Sequence, residues 1–500
     1  MKKNLLIALL SLLLMNLYAA KREFRGVWIH TVQQSQYKSM GKAEMQNYFV
    51  GMLDQFQKTG INALIFQVRP QADAFYKSDL EPWSRFLSGE QGREPNPAWD
   101  PMEFLIAECH KRNIEFHAWL NPYRVTNNEN EKLAPNHIYW KHPEWFVKYG
   151  KQTYFDPGMP ECRKFICDVV KDIVTRYEVD AIHMDDYFYP YPITGEEFPD
   201  AKSFNTYAAS QGFAQNKGDW RRNNVNMLIS ELKETIYTTK PWVRFGISPF
   251  GIYRNKAKTP DGSGSNTKGL QNYDDLYADV LLWTKNSWID YVVPQLYWEI
   301  GHKVADYTTL INWWNEHTNT EQLYIGQSVV RTVQAVDIAS NEKNQLPAKF
   351  SQAAAAHNVQ GNCLWNGYDL LRNEGGIMDS LRSHYYHDPA LVPAYTNMDG
   401  YPPLELKKLW AEWTPNGYFL FWHPKADKDS LNMPVRYCIY RFKSGEKFNL
   451  EDASKIVTIT SETTYQLPYD KGTAKYTYAV TTLDRYNYES KKAKKRTVKL

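Results

Sequence analysis

The 500-residue chain has only five cysteines, Cys109, Cys162, Cys167, Cys363 and Cys438, and none belongs to a Cys-x-x-Cys pair. So few thiols in so long a chain make no disulfide framework, and no flanking motif marks a nucleophile, so buried inert thiols are expected. Excess charge is also missing. The net charge is +3, two of those positives are Lys2 and Lys3, and no basic stripe is present, which argues against a nucleic-acid partner. No segment approaches the ~20 apolar residues that a membrane-spanning helix needs. No glycine-rich phosphate fingerprint follows the first strand, which weakens a doubly wound nucleotide fold. The absence of a HExxH helix and of an HxH pair on the first strand leaves metal ligation without a specific spacing. The absence of GxSxG removes the serine-hydrolase elbow, and Ser248-Pro249 does not replace it.

What is present begins with an export pattern. Lys2 and Lys3 precede an apolar run over residues 5–15, and Tyr18-Ala19-Ala20 supplies a small-residue exit before Lys21. This reads as a signal peptide over 1–20, with an exported protein, periplasmic or at the cell surface, and no stable membrane span after cleavage. No cysteine lies in this stretch, which argues against a lipid-modified N-terminus. The composition is globular, 43% hydrophobic and 23% charged, with 17 tryptophans and 35 tyrosines. Those rings suit stacking on sugar faces but also fill cores.

Residues 21–383 repeat one theme of a short β-branched or aromatic run, a loop and a helical pattern. The runs cover 24–31, 61–70, 114–124, 179–189, 243–251, 289–299, 323–330 and 359–370, with helical stretches such as 42–59, 102–112, 161–176 and 223–238 between them. Eight strands alternating with helices predict an α/β fold, a (β/α)₈ TIM barrel with insertions in its loops. Residues 384–403, which contain Pro389, Pro393, Pro402 and Pro403, read as a linker. Short strands alone follow over 404–500, at 406–413, 418–422, 435–442, 455–460 and 476–484, predicting a small all-β sandwich.

Side chains alternate across a strand, so in a barrel the apolar row faces the helices and the other row faces the axis. Leu64, Phe66 and Val68 oppose Gln67 and Arg69; Glu115, His117, Trp119 and Asn121 share a face; His183 and Asp185 oppose Ile182 and Met184; Gln295, Tyr297 and Glu299 share a face, as do Gly26, Trp28 and His30. Polar residues gather toward the C-terminal end of each run, where barrel active sites are assembled. Parity places Asp185 on the axis, while a twist or bulge at the strand end keeps Asp186 a candidate. Glu299 lies beside Tyr297 and Trp298, and an apolar neighbourhood raises a carboxyl pKa toward that of a general acid. Asp185 or Asp186 with Glu299 supplies the two carboxyl groups that glycoside hydrolysis needs, with no cofactor and no metal. Arg69 can orient a carboxylate, and Asn121 and Gln295 can bond sugar hydroxyls. His117 and His183 can donate to substrate or to a carboxylate, and Trp119, Tyr187, Tyr297 and Trp298 can form stacking walls.

These residues fall in ordered blocks: Arg25-Gly26-Val27-Trp28, Gln67-Val68-Arg69-Pro70, Glu81-Pro82-Trp83-Ser84, His117-Ala118-Trp119-Leu120-Asn121-Pro122-Tyr123-Arg124, His183-Met184-Asp185-Asp186-Tyr187-Phe188-Tyr189-Pro190, Ser248-Pro249-Phe250-Gly251 and Pro294-Gln295-Leu296-Tyr297-Trp298. In them the barrel resembles the glycosyl-hydrolase-like family 10 proteins of bacteria. The resemblance implies a TIM barrel, glycosidase activity and a polysaccharide substrate, with peptidoglycan glycan strands among the candidates. The C-terminal strands are similar to fibronectin type III modules, which space or dock a catalytic domain. The other readings are a non-catalytic glycan-binding protein and a metal-dependent deacetylase or amidase.

Overall fold

The computed structural model describes residues 20–318, 322–396 and 400–500, so the expected signal segment lies almost entirely outside the described residues. The described residues form two compact units, one of Phe24–Met378 and one of Asp379–Leu500 with residues 20–23.

Eight strands of the first unit close a parallel barrel: β1 (Phe24–Ile29), β2 (Ala63–Arg69), β3 (Glu115–Leu120), β4 (Ala181–Met184), β5 (Arg244–Ile247), β6 (Tyr291–Val292), β7 (Gln322–Ser328) and β8 (Val359–Trp365). Each pairs with its sequence neighbours, and β1 closes against β8. This is the (β/α)₈ barrel that the alternating pattern predicts. The helices form where their apolar residues repeat on one face. Met45, Phe49, Met52, Leu53 and Phe56 are the buried row of Lys42–Thr59, and that helix stops at Gly60, whose φ of 84° suits glycine. Pro101–Lys111 starts on a proline, with the Asp100 carboxylate accepting from the Met102 and Glu103 amides. Fixing these ends fixes where each strand begins, and so which residues reach the upper rim.

Two local events break the sequence-read parity. The β2–β3 register runs Gln67↔Trp119 and then Arg69↔Leu120, so a bulge at Val68 turns Arg69 onto the face of Leu120, away from the axis. The sixth strand pairs only over Tyr291–Val292 and then at Gln295 as an isolated bridge. Pro294 has no N–H to give to the ladder, and strand alternation does not extend to Glu299.

The second unit contains two antiparallel sheets. One orders Lys408–Thr414, Gly417–His423 and Thr464–Gln466; the other orders Ile456–Thr460, Arg436–Lys443, Lys475–Leu483 and Lys494–Lys499. Leu420 and Trp422 from the first share a core with Tyr437, Ile439, Tyr478, Val480 and Val498 from the second. The stretch expected as a linker belongs to this unit, because Leu391 is buried with Cys438, Tyr440 and Phe442. All five cysteines are unpaired and four are buried. Among the described residues no helix is long and apolar enough to cross a membrane.

Candidate active site

A cavity of about 660 Å³ opens at the C-terminal ends of the barrel strands. Its aromatic wall centres on Trp365, the last residue of β8, whose ring centroid lies 6.3 Å from Trp28, 6.0 Å from Trp119 and 6.3 Å from Tyr297. Trp298 and Phe250 meet edge to face at 5.4 Å on another side. Flat rings with exposed faces bind the C–H faces of sugars while leaving hydroxyls to polar partners.

Two adjacent carboxylates, Asp185 and Asp186, also line the cavity. They follow β4, where the chain leaves the ladder, so both can enter the cavity although neighbours on a regular strand would oppose each other. Each has its own set of donors. Asn121 Nδ2 reaches both Asp185 oxygens at 2.8 and 2.6 Å, Trp119 Nε1 donates at 3.2 Å, and the Tyr187 amide at 3.4 Å. Asp186 accepts from the Tyr191 hydroxyl and, at 3.1 Å, from Gln295 Nε2.

Asn121 is held so that only its amide nitrogen faces Asp185. Its oxygen takes Gln67 Nε2 at 2.7 Å and Arg124 Nη2 at 2.6 Å. Gln67 is oriented in turn, its oxygen accepting the Thr31 and Val32 amides at 2.9 Å each. The strand ends thus form one connected polar frame around the carboxylates. Burial pushes the Asp185 carboxyl up to about 7, and the neighbouring Asp186 charge pushes the same way against Arg124 and Asn121. Burial also raises Asp186, opposed by the Tyr191 and Gln295 hydrogen bonds. Burial therefore raises both carboxyls, and the Asp186 charge opposes ionisation of Asp185.

Of the residues singled out in the sequence, Asp185, Asp186, Trp119, Tyr187, Gln295, Tyr297 and Trp298 line the cavity. Asn121 stands one layer behind, against Asp185. Four residues lie elsewhere. Glu299, expected to be the acid, is outside the cavity wall, where its charge acts on Lys349. Arg69 is turned outward by the bulge and buried against Glu81, with Nη2–Oε1 at 2.6 Å. His117 and His183 are fully buried on the barrel axis, and both direct Nδ1 to the Tyr291 hydroxyl. Sequence reasoning gave no site role to Gln67, Arg124, Tyr191, Ser248 and Trp365. Gln67 stood in the axis row of its strand, but the others lie at or beyond strand ends, where periodicity gives no signal.

Residues 23–345 match the family model described as Glycosyl hydrolase-like 10. The chain is 41% identical over 486 residues to "Glycosyl hydrolase YngK" of Bacillus subtilis (strain 168), covering 96% of this chain and 94% of that protein. It is 35% identical over 329 residues to "Glycosyl hydrolase DigH" of Escherichia coli (strain K12), covering 61% and 73% respectively. Among solved structures, the glycoside hydrolase domain of PgaB (BpsB) from Bordetella bronchiseptica aligns with 72% of this chain and 98% of its own, at 12% identity and a TM-score of 0.47. By the extent of the family match and the full-length relative, the chain belongs to the Glycosyl hydrolase-like 10 family of enzymes.

Proposed function

We propose that the protein is an exported enzyme that hydrolyses O-glycosidic bonds of a polysaccharide, with peptidoglycan glycan strands as the first substrate to test. The observation that carries this is the Asp185–Asp186 pair, buried together and raised in pKa at the rim of an aromatic-walled cavity. Sugar rings would stack on Trp365, Trp119 and Tyr297 with the scissile oxygen over the pair. Asp185, protonated near neutral pH, gives its proton to the leaving oxygen as the glycosidic C–O bond breaks. Asp186, ionised and held by Tyr191 and Gln295, stabilises the positive charge that builds on the anomeric carbon. It then takes the proton of the attacking water, so each turnover ends with one proton on the pair.

Glu299 has no part in this assignment. Export is supported by the Lys2-Lys3 start and the apolar run after it, and is tested by fractionating cells that express the full chain. Asp185→Asn and Asp186→Asn, each assayed for product on purified glycan strands by mass spectrometry, test the chemistry. Both are expected to lose more than about a hundredfold in turnover, the scale of general acid–base catalysis. Rates near wild type for both would remove the assignment.

A further inference from the structure

A hydrogen-bonded chain runs along the barrel axis below the cavity, and its donors and acceptors can be ordered from one fixed end. Trp28 Nε1 is an indole nitrogen and only donates, and it points to His183 Nε2 at 3.3 Å. His183 Nε2 is therefore an acceptor and its proton sits on Nδ1, which faces the Tyr291 hydroxyl at 3.0 Å. Tyr291 then gives its own proton to His117 Nδ1, at 2.8 Å. His117 carries its hydrogen on Nε2, which lies 3.2 Å from Glu115 Oε2. The same Glu115 oxygen accepts from Arg244 Nη2, which closes the chain in a buried ion pair. Arg244 Nη2 and His117 Nε2 stand 3.4 Å apart, as two donors converging on one oxygen do.

Every member is buried, and burial holds both histidines below the usual imidazole range, so the rings are neutral and each has one defined tautomer. The fit is tight. A Cβ on Gly246 would stand 1.9 Å from the Tyr291 ring, so β5 needs glycine there to admit the tyrosine.

The open end of the chain is at the cavity. Ser248 Oγ lies 2.9 Å from His183 Nε2, and Ser248 and Trp28 both line the cavity. Because His183 Nε2 has no hydrogen to give, the Ser248 hydroxyl can only donate to it, sharing the single lone pair of that nitrogen with the more distant Trp28 N–H. We infer that Ser248 is a specificity-determining residue that presents only lone pairs to the cavity, so it binds a hydrogen-bond donor of the glycan, a hydroxyl or an amide N–H, with Trp28 and Tyr291 as the positioning residues that hold this polarity from the two nitrogens of His183. Trp28, its N–H committed inward, offers the same sugar an apolar ring. Removing the Tyr291 hydroxyl would leave the His183 Nδ1–H without its acceptor, so that only the Trp28 N–H at 3.3 Å would hold the ring, and Ser248 would lose a firmly placed acceptor and present lone pairs to the cavity less strictly.

The kinetic test rests on the glycosidase reading; the spectroscopic test does not. In wild-type protein labelled with ¹⁵N-histidine, nitrogen shifts should show His183 protonated at Nδ1 and His117 at Nε2, both unchanged between pH 7 and 8. The reverse tautomers, or charged rings within that range, overturn the inference whether or not any glycan is cleaved. On a cleaved glycan, Ser248→Ala and Tyr291→Phe should each lower kcat/KM by about tenfold, and the double variant should lose little more, since both remove one interaction. Losses that multiply to about a hundredfold would mean that the two residues act independently and would also overturn it. Should Tyr291→Phe fail to fold, the wild-type tautomers still decide.

Discussion

Tyr191→Phe isolates one hydrogen bond of the carboxylate pair. The hydroxyl donates to Asp186, and the ring stacks on Tyr187 at 5.3 Å, a contact that phenylalanine keeps. A hydrogen bond to a charged group contributes about 1.5–3 kcal/mol. Tyr191 is 37% exposed, so water replaces part of the lost bond and the lower end applies, about 1.5 kcal/mol. Losing a donor destabilises the anion, so the Asp186 pKa rises further. At about 1.4 kcal/mol per unit, the shift is about one pH unit. If Asp186 must be ionised for turnover, the acidic limb of the kcat/KM profile moves up by about that amount, and the rate near pH 6 falls more than the rate at pH 8. The assay is a pH profile of glycan cleavage for both proteins, with thermal unfolding as a check that the variant is folded. An acidic limb that stays in place, or moves down, would refute the ionised role of Asp186.

Other substitutions separate catalytic roles from structural ones. Asp185→Asn should stabilise the protein increasingly as pH rises from ~4 to ~7. Because burial raises the folded pKa to about 7, wild type keeps its full stability only below the unfolded value and loses about 1.4 kcal/mol per pH unit above it; unfolding temperatures of both proteins at pH 5 and 8 should diverge, and an equal difference at the two would contradict this. Glu299→Gln should leave kcat/KM within about twofold of wild type, the effect of ~0.5 kcal/mol expected away from critical features; a hundredfold loss would restore it as the acid. Arg69→Ala leaves Glu81 buried without its cation and should cost about 3–5 kcal/mol. Its signature is a fall in unfolding temperature, whereas an unchanged transition with a raised KM would return Arg69 to the substrate.

Local chemistry was enough, from sequence alone, to show the barrel. Eight β-branched and aromatic runs alternate with helical patterns, and each closes as a strand, because strand and helix periods depend on neighbours a few residues away. Strand parity carried the axis row as far as the ladder continued, which included Trp28, Gln67, His117, Trp119 and His183. It failed where the ladder did. The bulge after Gln67 turned Arg69 outward, and Pro294 ended the pairing before Glu299, while the chain after β4 brought Asp185 and Asp186 into one cavity. What the sequence by itself determined is therefore the period of each element and the residue types at the upper rim. Only tertiary structure decided which carboxylates lie in one cavity and which histidine nitrogen faces which partner. Those properties depend on partners such as Asn121 with Asp185 or Tyr291 with His183, 64 and 108 residues apart in the chain and joined only when the barrel closes.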